Sequence, residues 1–148
     1  MGRLGIGVES EKITDLHFER SSISRSDICL EETPLHREAS GQLQEYFSGK
    51  RKIFDLPLAP IGTDFQMRCW EALLKVPYGE TRSYGDIARS VGSPRGFRAV
   101  GMANNRNPIS IIIPCHRIIG SDGKLVGFGG GLDIKEFLLG LERKYAKS

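Results

Sequence analysis

Between two runs of branched aliphatics, "IIIPCHRIIG" over residues 111–120 sets a thiol, an imidazole and a guanidinium side by side as Cys115, His116 and Arg117. A thiolate is a strong nucleophile, and either neighbouring cation would favour it over the thiol. Pro114 has no N–H, which leaves the approach to Cys115 less constrained by backbone hydrogen bonding. Nucleophilic attack by Cys115 is therefore the first chemistry to consider. Adjacent side chains of an extended chain point to opposite faces, so His116 reaches Cys115 only if the backbone turns there or a water bridges them. That argues against a cysteine-hydrolase dyad, whose thiol and base come from distant parts of a sequence.

A base also needs a partner that orients it. Glu136 and Glu142 near the end of the chain, and His17, His36 and Cys29 near its start, are the candidates. Glu142 follows an apolar position, Leu141, and either faces inward or is an exposed acid paired with Lys144 or Lys135. Cys69 and Cys29 read as small buried hydrophobes. Three cysteines with no CxxC spacing suggest neither a disulfide framework nor a cysteine-built zinc site, so a reducing compartment is expected and no metal.

The 148 residues, 39% hydrophobic and 26% charged, suit one ordinary globular core with a small appended unit. No apolar run approaches a membrane span, "MGRLGIGVES" is not a secretion signal, and Ile6 stands where a myristoylation signal needs Ser or Thr. The expected location is the cytoplasm, or the nucleus if the source has one. The net charge is +3, but residues 82–117 hold six arginines, no lysine and one acid, Asp86; this segment carries +5 and the remainder −2. Local basicity of this kind points to an anionic partner.

The elements that must position Cys115 follow from periodicity and punctuation. Ile6 and Val8, then Ile13, Leu16 and Phe18, alternate about an "ESEK" hairpin turn. Residues 21–33 read as loop or one further strand. Thr33 before Pro34 opens a helix with Leu35, Ala39, Leu43, Tyr46 and Phe47 on one face. "IFDLPLAPIGT" reads as an extended linker, which divides the chain into a small N-terminal α/β subdomain with linker over 1–60 and a second domain over 61–148. Asp64 is expected to cap a helix with Phe65, Cys69, Trp70, Leu73 and Leu74 on one side. Ser83 caps the next, lined by Tyr84, Ile87, Ala88 and Val91 and closed by Gly92. Ser93 with Pro94 predicts the start of a third helix running to about Asn104.

Two short helices joined by a Gly-Ser turn describe a helix-turn-helix. Phe97, Val100, Gly101 and Asn104 would form the packed side of its second helix, and Arg95, Arg98, Met102 and Asn105 the basic side. A cationic helix face is by default a solvated one; the turn signature and the lack of balancing acids favour nucleic acid here. "ISIII" predicts a buried strand or extended segment ended by Pro114. "GSDGKLVGFGGG" is a loop, and Asp133 with Glu136 predicts a capping box for a last helix with Ile134, Phe137, Leu138, Leu141 and Tyr145 as its stripe. The fold class is α+β: a small N-terminal β-sheet subdomain with a helix, then a mainly helical domain holding the helix-turn-helix and the PCHR segment.

"PCHRIIG" at 114–120, preceded by "RAVGMANNRNP" at 98–108 and "PYGETRSYGDIA" at 77–88 and followed by "GFGGGLDIKEFLLGLE" at 127–142, resembles the O6-alkylguanine-DNA alkyltransferases. The resemblance spans roughly residues 34–142, with the motifs in order and at matching spacing. It implies DNA repair by stoichiometric transfer of the O6-alkyl group of a flipped guanine to the protein's own cysteine, with no cofactor. Cys115 is similar to the alkyl acceptor, His116 to the histidine that activates it through a water, and Glu142 to the acid that holds that histidine. Asn107 matches the asparagine that stabilises the turn carrying the cysteine. Tyr84 matches the tyrosine that assists protonation of the departing guanine; on its own pattern it is equally a core tyrosine. The Ile118 carbonyl, the wall at Phe128 and the Gly129 amide match the base pocket. Arg98 matches the arginine that enters the vacated stack, while Ser93, Arg95, Arg106 and Ser121 match phosphate or groove contacts. The implied partner is duplex DNA containing O6-alkylguanine, approached through the minor groove by a monomer, with cooperative binding left open and no membrane association.

Physical logic agrees with that chemistry: an O6-alkyl group inside a duplex is out of a side chain's reach, so the nucleotide must be extruded. Displacement at the alkyl carbon needs a thiolate and a stabilised leaving guanine, but no metal or redox group. The sequence departs from relatives at Phe128, where many have tyrosine, and at Ser110, where some have proline; the N-terminal zinc site of some relatives lacks its ligand spacing here. The alternatives are a lesion-recognition protein of the alkyltransferase-like class, which lacks the acceptor cysteine, and a helix-turn-helix regulator with a structural or redox-sensing thiol.

Overall fold

A computed structural model of the chain describes residues 4–18, 33–120 and 131–146. Residues 21–32, with Cys29, and the positions Ser121, Phe128 and Gly129 lie outside the described residues. Strands β1 (Leu4–Glu9) and β2 (Lys12–Phe18) form the expected antiparallel hairpin. Its turn residues Ser10 and Glu11 both have positive φ, 52° and 62°, the left-handed pair that suits the twist of a tight hairpin.

The segment read as a linker is extended but is no spacer. Ile13 N–H donates to the Pro57 carbonyl at 2.8 Å and Ala59 N–H to the Ile13 carbonyl at 2.7 Å, so the proline-bearing stretch lies along β2 as an edge. Farther along the same strand, Leu16 N–H donates to the Pro108 carbonyl at 2.8 Å and the Leu16 carbonyl accepts from Ser110 N–H at 3.1 Å. Strand β2 therefore holds the linker at Ile13 and the stretch that leads to Cys115 at Leu16. Proline suits such an edge because it has no ladder N–H to lose.

Helix α1 (Pro34–Phe47) starts as expected, with a capping box between Thr33 and His36. Its buried face is Ala39, Gln42, Leu43 and Tyr46. Gln42 is there because its amide grips the linker, donating to the Asp55 carbonyl at 3.0 Å and accepting from the Asp55 N–H at 2.9 Å.

Three expected helix starts move. Helix α2 (Asp64–Leu74) is capped by Thr63, not Asp64, because Gln66 sits where it completes a capping box with Thr63; Asp64 falls in the first turn, favourable to the helix dipole. Helix α3 (Tyr84–Ser90) is capped by Ser83 as expected, Asp86 completes a capping box with it, and Gly92 leaves the helix at φ +78°, a conformation that favours glycine. Helix α4 (Phe97–Asn105) starts after Gly96, not at Ser93. Ser93 to Gly96 instead close a β-turn through a 2.7 Å bond from Gly96 N–H to the Ser93 carbonyl. Proline has the same φ at the second position of a turn as at the first of a helix, so Pro94 fits both. Helix α5 (Leu132–Tyr145) is preceded by Gly131 at φ +103°, with Asp133 already inside its first turn. Its buried residues are Ile134, Lys135, Leu138, Leu139 and Glu142, while Phe137, expected in the core, is 48% exposed.

The "ISIII" run is buried as expected, yet it forms only single bridges, Leu16 with Ile109 and Ser110 with Ile113. Ile111 adopts φ +73°, a genuine outlier for a β-branched residue, and this kink ends any strand. Two more short strands, β3 (Arg82–Ser83) and β4 (Ile118–Ile119), pair in parallel just before α3 and just after the PCHR segment. Trp70, 2% exposed, fills the space between α2 and α4 and donates its indole N–H to the Ala103 carbonyl at 2.8 Å. Burying so large a ring with its donor satisfied is one of the strongest single contributions to this core. Among the described residues no helix is long and apolar enough to cross a membrane.

Candidate active site

The backbone turns at Cys115: residues Cys115–Arg117 make one 3-10 turn, with Cys115 3%, His116 0% and Arg117 7% exposed. Asn107 builds the approach to that turn. Its side-chain N–H donates to the Ile113 carbonyl at 2.8 Å and its oxygen accepts from Ile109 N–H at 3.0 Å, which closes the loop around the strained Ile111. Asn104, one turn earlier on the buried side of α4, reaches the Cys115 carbonyl at 3.3 Å.

His116 and Arg117 both turn away from Cys115 toward Glu142, which is 1% exposed on α5. The Glu142 carboxylate takes Arg117 in a fork, Nε to Oε1 at 2.8 Å and Nη2 to Oε2 at 3.0 Å. It takes His116 Nε2 at 2.6 Å and the Tyr46 hydroxyl at 2.6 Å on Oε2, and the Gly79 N–H on Oε1 at 3.2 Å. Arg117 spends its remaining nitrogen, Nη1, on the Val76 carbonyl at 2.7 Å. A buried carboxylate is tolerable only when its lone pairs are this fully used. Burial alone would push it up, but the bonds from His116 and Arg117 and their charges hold it down at about 2. Of the two readings of Glu142, the inward one is correct.

Arg117 therefore balances Glu142 and does little for the thiol. His116 is pushed down by burial more than the carboxylate lifts it, so it rests neutral. With Nε2–H given to Glu142, the lone pair is on Nδ1, which is buried and has no hydrogen-bond partner in the protein. An imidazole so oriented is a base with one fixed face. Burial also pushes the Cys115 thiol up, opposed by Asn107, the Lys135 charge and Ser110. The cation that sequence reading missed is Lys135, 0% exposed, whose Nζ donates to the Ile118 carbonyl at 2.5 Å. The thiol is thus pushed up and the imidazole down by the same burial, and burial also pushes the Lys135 amine down, with the nearby Cys115 opposing that.

Tyr84 arrives beside this group through the β3–β4 pairing, which sets Ser83 against Ile119. Burial and the nearby Cys115 push its phenol up, and a hydrogen bond with Asn104 opposes that. A Cβ on Gly101 of α4 would stand 3.8 Å from the Tyr84 ring, ordinary contact, so the close approach expected there would also admit alanine. The structure thus brings Cys115, His116, Glu142, Asn107, Tyr84 and Ile118 into one neighbourhood. One lone pair of the Ile118 carbonyl is already used by Lys135, and one of the Cys115 carbonyl by Asn104.

Arg98, Arg95 and Arg106 are exposed on α4 and its flanks, and Ser93 lies in the turn before it. The basic segment divides: Arg82 pairs with Glu80, Arg89 with Asp86 and Arg117 with Glu142. Arg95, Arg98 and Arg106 have no ion pair among the described residues. The cationic surface is thus narrower than the sequence charge suggests, and it centres on one helix. No cluster of three or more possible metal ligands occurs among the described residues.

Sequence reading also missed Tyr46, which sits in the ordinary apolar stripe of α1. Lys135 and Glu142 carried a usable signal, since Lys135, Leu138, Leu139 and Glu142 stand at the spacing of one helix face.

Comparison with known proteins identifies the family. The profile of the 6-O-methylguanine DNA methyltransferase DNA binding domain matches residues 64–144, and that of the ribonuclease-like domain of the same family matches residues 1–60. A methylated-DNA–protein-cysteine methyltransferase of Methanosarcina barkeri is 66% identical over 113 residues, 76% of this chain and 72% of the relative. The constitutive enzyme of that name from Bacillus subtilis is 47% identical over 151 residues, 97% of this chain and 90% of the relative. The crystal structure of Mycobacterium tuberculosis OGT in complex with DNA superposes with a TM-score of 0.89 at 46% identity, covering 96% of this chain and 87% of that one. Sequence and fold together place the chain in the 6-O-methylguanine DNA methyltransferase family.

Proposed function

We propose that this protein repairs DNA by moving the alkyl group of O6-alkylguanine onto Cys115, once per molecule. The observation that carries the reading is the buried pair of His116 and Glu142 behind a buried thiol: the carboxylate fixes Nε2–H and leaves the Nδ1 lone pair as the base. The relatives' names and the DNA complex of the mycobacterial protein support the substrate class.

In the proposed reaction the Cys115 proton passes toward His116 Nδ1 through a water, and the sulfur attacks the alkyl carbon. An S–C bond forms as the C–O6 bond breaks, and the departing electron pair goes to the guanine oxygen. Tyr84 supplies the proton that leaves an ordinary guanine. An alkyl thioether is stable to water at neutral pH, so the protein is consumed. Lys135 stabilises the thiolate while it exists, and Asn107 holds the turn that aims it. The family resemblance assigns Ile118, Phe128 and Gly129 to the base pocket.

The target nucleotide must leave the helix to reach a thiol this deep, at a cost of a few kcal/mol. Arg98 enters the gap, and Ser93, Arg95, Arg106 and Ser121 contact the phosphates or groove, with α3 and α4 acting as the helix-turn-helix. The division into units 1–60 and 61–148 and action as a monomer inside the cell belong to the same reading.

Intact-protein mass spectrometry after incubation with a duplex holding one O6-methylguanine tests it. A single added methylene mass, about 14 Da, mapped to Cys115 and absent in Cys115→Ala, is the expected result. An unmodified protein that still binds the lesion would transfer the reading to recognition without chemistry.

A further inference from the structure

Helix α4 buries Val100, Ala103 and Asn104, so at 3.6 residues per turn the line farthest from the core runs through Arg98 and, one turn on, Met102. Met102 is 61% exposed and Phe97, on the other side of Arg98, is 52% exposed. A lone exposed apolar residue needs no explanation. Here two large ones flank a single arginine within little more than one turn.

Their surroundings restrict what could cover them. Arg95, Arg98 and Arg106 rim the pair without an ion pair among the described residues. A second copy of this chain would bring the same cations against them, so self-association on this face is opposed by charge. A polyanion with an apolar interior fits both features at once: phosphates for the arginines and the faces of stacked bases for the thioether and the ring. Proteins that bend or open a duplex insert methionine and phenylalanine as wedges between base steps.

We propose that Met102 and Phe97 are wedges that, together with Arg98, hold the base stack open beside the extruded nucleotide. This rests on the base-extruding function proposed above, and assigns part of the extrusion to apolar contact. Arg98 occupies the gap, Met102 separates the adjoining step one helical turn along, and Phe97 covers the opposite edge. The flat polar edge of Asn105 and the missing side chain of Gly101 leave the approach to the duplex clear between them.

The test compares Met102→Ala, Phe97→Ala and Met102→Leu on O6-methylguanine in a duplex and in a single strand of the same sequence. Met102→Ala should slow methyl transfer in the duplex about tenfold and in the single strand about twofold or less, with Met102→Leu restoring most of the duplex rate. Phe97→Ala should show the same split to a smaller degree. A second reading does not depend on transfer: with Cys115→Ala as the parent, 2-aminopurine next to the lesion should brighten on binding, and less so when Met102→Ala is added. Equal losses on both substrates, or an unchanged 2-aminopurine signal, overturn the wedge. So does a change in the sedimentation of free protein, which would make the face a protein contact. If the parent brightens the 2-aminopurine but the wild type transfers nothing, the proposed chemistry fails while the wedge stands.

Discussion

Tyr46 and His116 meet on one atom: both donate to Oε2 of Glu142, each at 2.6 Å, from helix α1 and from the turn that carries Cys115. The candidate base is thus oriented by a carboxylate that the N-terminal unit also holds.

Tyr46→Phe removes one donor from a buried carboxylate without opening a large cavity. Stability should fall by about 1–3 kcal/mol in urea unfolding. Transfer should slow as well, because Glu142 would be free to shift toward Arg117. Intact transfer at reduced stability would confine Tyr46 to a structural role.

Glu142→Gln leaves the Arg117 guanidinium buried beside a neutral amide. Removing one partner of a buried pair costs about 3–5 kcal/mol, and the proposed base loses its fixed tautomer. The variant should melt well below the parent and, at a temperature where it is folded, transfer slowly at every pH. A normal rate in the folded variant would remove Glu142 from the mechanism.

Acid stability follows from the same carboxylate. Its folded value of about 2 lies below the ordinary 4.5, so its contribution is complete above the unfolded value and is lost as pH falls from 4.5 toward 2. The amount is on the order of 3 kcal/mol. His116 acts earlier: its folded value is depressed, so the unfolded chain takes up a proton first, and stability declines as pH falls below the ordinary 6.5. Urea unfolding across this range should show both limbs, and Glu142→Gln should lack the lower one.

Lys135→Met keeps the bulk of a buried side chain and removes its charge. Burial then raises the Cys115 thiol with one less opposing cation, so the pH profile of transfer should shift to higher pH. A lower rate with an unshifted profile would mean that Lys135 acts only through its bond to Ile118.

Arg98→Ala should slow repair in duplex DNA about tenfold or more and affect a single-stranded substrate far less, because only the duplex requires a stack to be filled. Equal slowing on both would argue against insertion.

Much of the architecture is local, and local signals determined it. The hairpin, the Thr33 and Ser83 caps, the exit at Gly92 and the burial of "ISIII" follow from residue type within a few positions, since caps, turns and periodicity are short-range effects. The candidate nucleophile rests on equally local signals, because Cys115, His116 and Arg117 are adjacent and their motif is specific.

What tertiary structure decided is where the charges go. Arg117 beside Cys115 in sequence could have served the thiol, but Glu142 lies across the fold and attracts it more strongly. Lys135 and Glu142 displace Phe137 from the buried face of α5 because each finds a partner there, whereas the ring leaves no polar group unsatisfied when exposed. Ser93 lost the cap of α4 to a turn that Pro94 fits equally well. Tyr46 joined the site only because α1 lies where its hydroxyl reaches Glu142 on α5, 96 residues along the chain. Partners far apart in the chain leave little mark in local pattern, and in a buried site their Coulomb and hydrogen-bond terms outweigh propensity; that is why the residues alone left Glu142 one of several candidate partners, singled out by resemblance, and only the fold decided that Arg117 and Tyr46 share its carboxylate with His116.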